Sequence, residues 1–108
     1  MSDPFAGYWR ITEMAVWARD AIDLVGPAHI IFDDDGMGRF RFIAVTGFTD
    51  CRYSERDSKP LVEFSWQGKD ERDDAYGRGW ATIEDDGKLH GHIFLHCSED
   101  SSFVAERE

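Results

Sequence analysis

Three of the four histidines, His90, His92 and His96, fall in one short apolar segment. In an extended chain, residues two apart project from the same face, with about 7 Å between their backbones. The pair His90 and His92 is therefore a usable chelate for a metal such as zinc. His96 lies too far along the strand to share a coordination sphere with both. A third ligand would have to come from a neighbouring strand, such as Glu84 across a hairpin. The same alternation also suits a polar outer face, opposite the apolar row Leu89, Gly91, Ile93 and Leu95. Other reactive groups form weaker patterns. No serine sits in a nucleophile-elbow motif. Cys51 lies between Asp50 and Arg52, where a guanidinium would favour the thiolate, although a buried strand thiol is inert. The acidic turns Asp33-Asp34-Asp35-Gly36 and Glu84-Asp85-Asp86-Gly87 resemble calcium loops in composition but lack the ligand spacing. Gly36-Met37-Gly38 and Gly77-Arg78-Gly79 do not open helices, so no phosphate loop is indicated. No catalytic residue and no cofactor emerge.

The aromatic residues form a second set. Trp9, Phe40, Phe42, Phe64 and Trp66 occupy one face of their strands, and Tyr53 and Trp80 are candidates to join them. If the strands enclose a space open at one end, these side chains line an apolar cavity. Arg52 or Arg41 at its mouth would then meet a ligand carboxylate. If the enclosure is small, the same side chains fill it; the short strands favour that outcome.

The elements that would hold these groups are strands. Short apolar runs alternate with acidic, Gly-containing turns, the pattern of consecutive antiparallel strands. The runs are 7–14, 28–33, 38–46, 49–55, 61–67, 77–85, 88–96 and 102–106. Asp86-Gly87 is the strongest hairpin signal. The polar run Lys69 to Asp74 reads as a flexible loop between the fifth and sixth strands. Met14, Trp17, Ala18, Ala21, Ile22, Leu24 and Val25 instead follow a helical spacing, ended by Gly26-Pro27. This predicts one short helix or helical turn, with Trp17 plugging a barrel end. The fold class is mainly β: a small eight-stranded antiparallel meander barrel in a single domain, residues 1–108. A two-sheet sandwich fits the alternation nearly as well. Gly77-Arg78-Gly79 is a potential bulge, which leaves the direction of Trp80 open.

Length and composition bound the rest. A chain of 108 residues holds one core, and 42% apolar residues suffice to build it. No apolar run approaches the ~20 residues of a membrane helix. The start MSDPFAGYWR predicts no secretory signal. Cys51 and Cys97 lack a C-x-x-C spacing and read as reduced thiols in a cytoplasmic protein. The net charge is −10. It repels phosphate backbones and anionic membranes, so neither nucleic acid nor membrane is an expected partner. It permits a basic protein partner.

Gly7-Tyr8-Trp9 opens the first strand and resembles the G-x-W signature of lipocalin-like (calycin) barrels. That resemblance implies a Trp packed across the closed end, covered by a basic residue near the last strand, here Arg107. The chain is also similar to a group of small bacterial proteins without an assigned activity. The similarity lies in Gly7-Tyr8-Trp9-Arg10-Ile11-Thr12-Glu13-Met14, Asp50-Cys51-Arg52-Tyr53, Val62-Glu63-Phe64-Ser65-Trp66 and Gly77-Arg78-Gly79-Trp80-Ala81. It implies a bacterial origin and brings no functional residues.

Two functions follow as expectations. One is a non-enzymatic binding module for a small apolar or amphipathic ligand, held in or near the barrel by Trp9, Phe40, Phe42, Arg52, Tyr53, Phe64 and Trp66. The other is an acidic protein-interaction module with a filled core, acting as an inhibitor, accessory subunit or homodimer. An enzyme ranks third, since no titratable groups converge on the core face.

Overall fold

The computed structural model describes residues 4–33 and 35–108. Among these residues, eight antiparallel strands close into one barrel in chain order. They are β1 (Gly7–Met14), β2 (His29–Phe32), β3 (Met37–Phe42), β4 (Val45–Arg56), β5 (Lys59–Asp70), β6 (Asp73–Ile83), β7 (Leu89–Leu95) and β8 (Asp100–Arg107). A single helical turn, α1 (Arg19–Ile22), follows β1. β8 pairs back onto β1, so the sheet has no free edge along which chains could add. The sandwich alternative is thereby excluded.

Period-two alternation sorts the strands into an inner and an outer face. Trp9, Phe40, Phe42, Phe64 and Trp66 all point inward and are at most 4% exposed. Glycines opposite the rings make the room: a Cβ at Gly47 would lie 2.6 Å from Phe40, and one at Gly79 would lie 2.5 Å from Phe64. Phe40 stacks on Phe42 and meets Trp66 edge-on, with centroids 5.8 and 5.0 Å apart. An eight-stranded barrel has just enough interior for its own side chains, and these aromatics occupy it.

Both ends are covered. At the start of β1, Trp9 donates its indole N–H to the Phe5 carbonyl (2.9 Å). The Arg107 guanidinium lies 4.2 Å from the centre of the Trp9 ring. Arg107 also donates to the carbonyls of Ala6 (2.7 Å) and Pro4, fastening the segment that carries Phe5. The basic cover expected over Trp9 is thus present. At the other end, α1 places Ile22, fully buried, over the opening. Trp17 is only half-buried and rests on Phe42, 5.4 Å away, so Ile22 rather than Trp17 is the main plug.

Several expected boundaries move. The run 38–46 is two strands, because the chain reverses at Ile43-Ala44. Ile43 has φ 53 there, and its N–H donates to the Ile22 carbonyl (2.8 Å). The turn is held by α1 and needs no Gly, Asn or Asp, which is why alternation ran through it. The expected helix shrinks to one turn: β1 claims Met14, and Leu24 and Val25 are 70% and 61% exposed. The charged run 69–74 is no flexible loop. Asp70 pairs with Asp73, and Glu71-Arg72 forms the tip of a long β5–β6 hairpin. Gly77-Arg78-Gly79 carries no bulge; β5 and β6 stay in register from Leu61↔Thr82 to Asp70↔Asp73. Trp80 therefore points outward, beneath the Arg56 guanidinium at 5.6 Å. The irregularity lies in β1 instead, between Ile11 and Glu13. The acidic turn at 33–36 includes Asp34, which lies outside the described residues.

Candidate functional site

The aromatic set assigned to a ligand cavity divides. Trp9, Phe40, Phe42, Phe64 and Trp66 belong to one buried apolar cluster. Tyr53 faces inward at the barrel rim, 39% exposed, with its ring 5.7 Å from Phe5. Arg52 points outward and pairs with Asp50 at 2.9 Å, away from the other six. Arg41 is half-buried beside Gly26.

The histidines face outward, as the alternation indicates. His90 meets Asp86 at 3.1 Å, and His92 meets Asp100. His96 stacks on Tyr76, with centroids 4.7 Å apart. Glu84 does not join His90 and His92, because Lys59 holds it at 2.7 Å and the Thr82 hydroxyl donates to its other oxygen. Among the described residues, no three His, Cys, Asp or Glu side chains gather to hold a metal ion. Hydrogen bonding from Lys59, then Thr82, holds the Glu84 carboxyl below its ordinary value. The Lys59–Glu84 clasp is therefore present at neutral pH and lost as acidification passes the lowered folded value. Thermal melting should show wild type above Glu84→Gln at neutral pH, with the two converging in acid. A gap that persists in acid would assign the effect to something other than the charge.

The outer face of β3–β7 carries what the core does not. Phe48, Tyr76, Met37 and Phe94 are 64%, 55%, 45% and 40% exposed. They are far apart in sequence, and the ladder brings them together. One rung joins Arg39, Phe48, Gln67 and Tyr76; the next joins Met37, Asp50, Ser65, Arg78 and Phe94; a third joins Arg52, Glu63, Trp80 and His92. His92 tilts against Phe94 at 4.5 Å. Shallow grooves cut this face, two of them at its middle. One, of about 380 Å³, runs between Arg52, Arg78, Trp80 and Phe94; the other, of about 450 Å³, between Met37, Phe48, Gln67 and Tyr76. Asp50 and Ser65 line both grooves, so the middle of the face is a depression walled by aromatic rings.

Aromatic area on this face is interleaved with guanidinium and carboxylate groups. Phe48, Tyr76 and Arg78 were not singled out from the sequence. Their signal was parity: each sits one residue from an inward position of its strand, so its side chain had to be outside.

No helix among the described residues is long and apolar enough to cross a membrane. Comparison with family models, curated proteins and solved structures returned no match to this chain.

Proposed function

We propose that this chain is a non-catalytic protein-interaction module that docks through the outer face of β3–β7. One observation carries the reading: four large apolar side chains, Met37, Phe48, Tyr76 and Phe94, stand exposed together on one face. Gathered exposed apolar area marks an interaction site more often than scattered residues do. Its composition matches as well, since aromatics, Met and Arg are the residues enriched at interfaces. The filled interior argues against a ligand inside the barrel. The meander order and the Trp9–Arg107 contact support kinship with lipocalin-like (calycin) barrels, in a reduced form whose lumen has become core. The exposed free thiol of Cys97 fits a reducing compartment such as the cytoplasm.

The test is photo-crosslinking in cells that make the protein. A benzoyl-phenylalanine at position 48 should give a discrete adduct, lost when Tyr76→Ser is added. The same probe at Glu13, exposed on β1, should give none. Absence of an adduct at position 48, or the same pattern from both positions, would overturn the reading. Native mass spectrometry covers the remaining case. A small molecule retained on an adduct-free chain would place an amphipathic carboxylate in the groove between Arg52, Arg78 and Trp80.

A further inference from the structure

We infer that the partner of this face is a second copy of the chain, related by a two-fold axis that runs along β5 past Ser65. The inference rests on the interaction reading above and names its partner.

The strand ladder carries the argument. Three successive rungs place β4 and β6 residues on either side of β5: Phe48 and Tyr76 flank Gln67, Asp50 and Arg78 flank Ser65, and Arg52 and Trp80 flank Glu63. When two such faces meet across a two-fold axis parallel to β5, β4 of one copy lies over β6 of the other at the same height. Phe48 then faces the partner's Tyr76, Asp50 faces the partner's Arg78, and Arg52 faces the partner's Trp80. Each contact occurs twice, as an isologous interface requires. The first two are an aromatic pair and an ion pair, the latter in exchange for the Asp50–Arg52 pair of the single chain; the third sets Arg52 beside a Trp80 ring that its own Arg56 already overlies. One strand further out, Met37 extends the middle rung on one side and Phe94 on the other.

Shape and charge agree with that arrangement. Ser65 is small and lies in the depression shared by the two grooves, so nothing bulky stands on the axis there. The chain carries 12 basic and 22 acidic residues, so two copies repel in most orientations. Arg39, Arg52, Arg56, Lys59, Lys69 and Arg78 lie on this face, with Asp50, Glu63 and Asp74 among them and Glu84, Asp85 and Asp86 at its β6–β7 end. It is thus richer in basic groups than the chain as a whole, which lessens the repulsion between two copies. A nucleic-acid strand fits it less well, because the Asp50 and Glu63 carboxylates stand on two of the three central rungs. Glu63 is the exception to the complementarity: the axis sets it beside its own copy, an unfavourable pair.

Sedimentation velocity over a concentration series tests the inference. Wild type should reach dimer mass. Asp50→Arg and Arg78→Asp each set like charges together twice, and each should weaken association by about a hundredfold or more. Mixing the two variants should restore a dimer, because each mismatch is healed across the axis; the double reversal in one chain should restore it too. Glu63→Gln should tighten the dimer. Thermal melts that match wild type establish that the variants fold. A wild type that stays monomeric overturns the inference, and so does a dimer indifferent to both reversals. A monomeric wild type that still yields the position-48 adduct assigns the face to a different protein and leaves the interaction reading standing. A monomer with no adduct removes both.

Discussion

Replacing Trp9 with alanine should destabilise the barrel by about 3–5 kcal/mol, the range for deleting a large buried aromatic. Against the roughly 5–15 kcal/mol that holds a small domain together, this is the largest single loss expected in the chain. The ring is 1% exposed, and three further interactions depend on it. Its indole N–H holds the Phe5 carbonyl. Its face seats the Arg107 guanidinium, which in turn bonds two carbonyls of the N-terminal segment. Phe5, kept in place by both, packs edge-on to Phe32 at 5.6 Å. Without Trp9 the whole cover of that barrel end loses its foundation. Trp9→Phe retains much of the apolar area but not the indole bond, and should fall between wild type and alanine. Urea denaturation measures all three. A loss under about 1 kcal/mol for Trp9→Ala, the size of an ordinary point mutation, would show that the cover is dispensable.

Gly77→Ala should cost at least about 2 kcal/mol, through overpacking against backbone and a strained buried hydrogen bond. A Cβ at Gly77 would stand 1.8 Å from the Phe94 carbonyl oxygen and 3.1 Å from Trp66 Nε1. That same carbonyl accepts the Trp66 indole N–H at 3.1 Å. The methyl would push β7 away from β6 and break the one polar tie of a core tryptophan. Phe94, on the outer face, would move with its carbonyl. Gly87→Ala is the control. Its φ is +78 and its surroundings are open, so the substitution carries only backbone strain, about 1 kcal/mol. Denaturation midpoints should therefore fall in the order wild type, Gly87→Ala, Gly77→Ala. If the two variants coincide, β6 and β7 separate easily and the close approach is soft.

Local pattern was enough where the chain signals its own geometry. β1 begins and ends at Gly7 and Met14, as the alternation has it, and the Asp86-Gly87 hairpin lies where that dipeptide places it. The outward histidines of β7 follow from the apolar row opposite them. The turn at Ile43-Ala44 was invisible because its positive φ is supported by the Ile22 carbonyl, which arrives from a segment far away in the chain. The helix was overestimated for the opposite reason. Met14 and Trp17 match a helical spacing, but β1 pairing with β8 takes Met14, and tertiary pairing outweighs so weak a propensity. Trp80 could not be oriented until the register across Gly77-Arg78-Gly79 was known.

Inside and outside were already written in the residue order. A side chain in a strand has two directions available, and the apolar rows say which one is buried. The mainly β class follows from the strand pattern; closure came only with the β8–β1 pairing, and the filled core only with the packing of its aromatics, since β4, β5 and β6 are longer than the runs that suggested a small enclosure. Which outward residues become neighbours is a different kind of fact. Phe48, Tyr76 and Phe94 lie on three strands that are not all adjacent in sequence, and a shift of one residue in any pairing would turn one of them inward. Their common face exists because barrel closure and glycine-relieved packing choose one register over the alternatives. Long-range packing makes that choice, and no local stretch of sequence carries it.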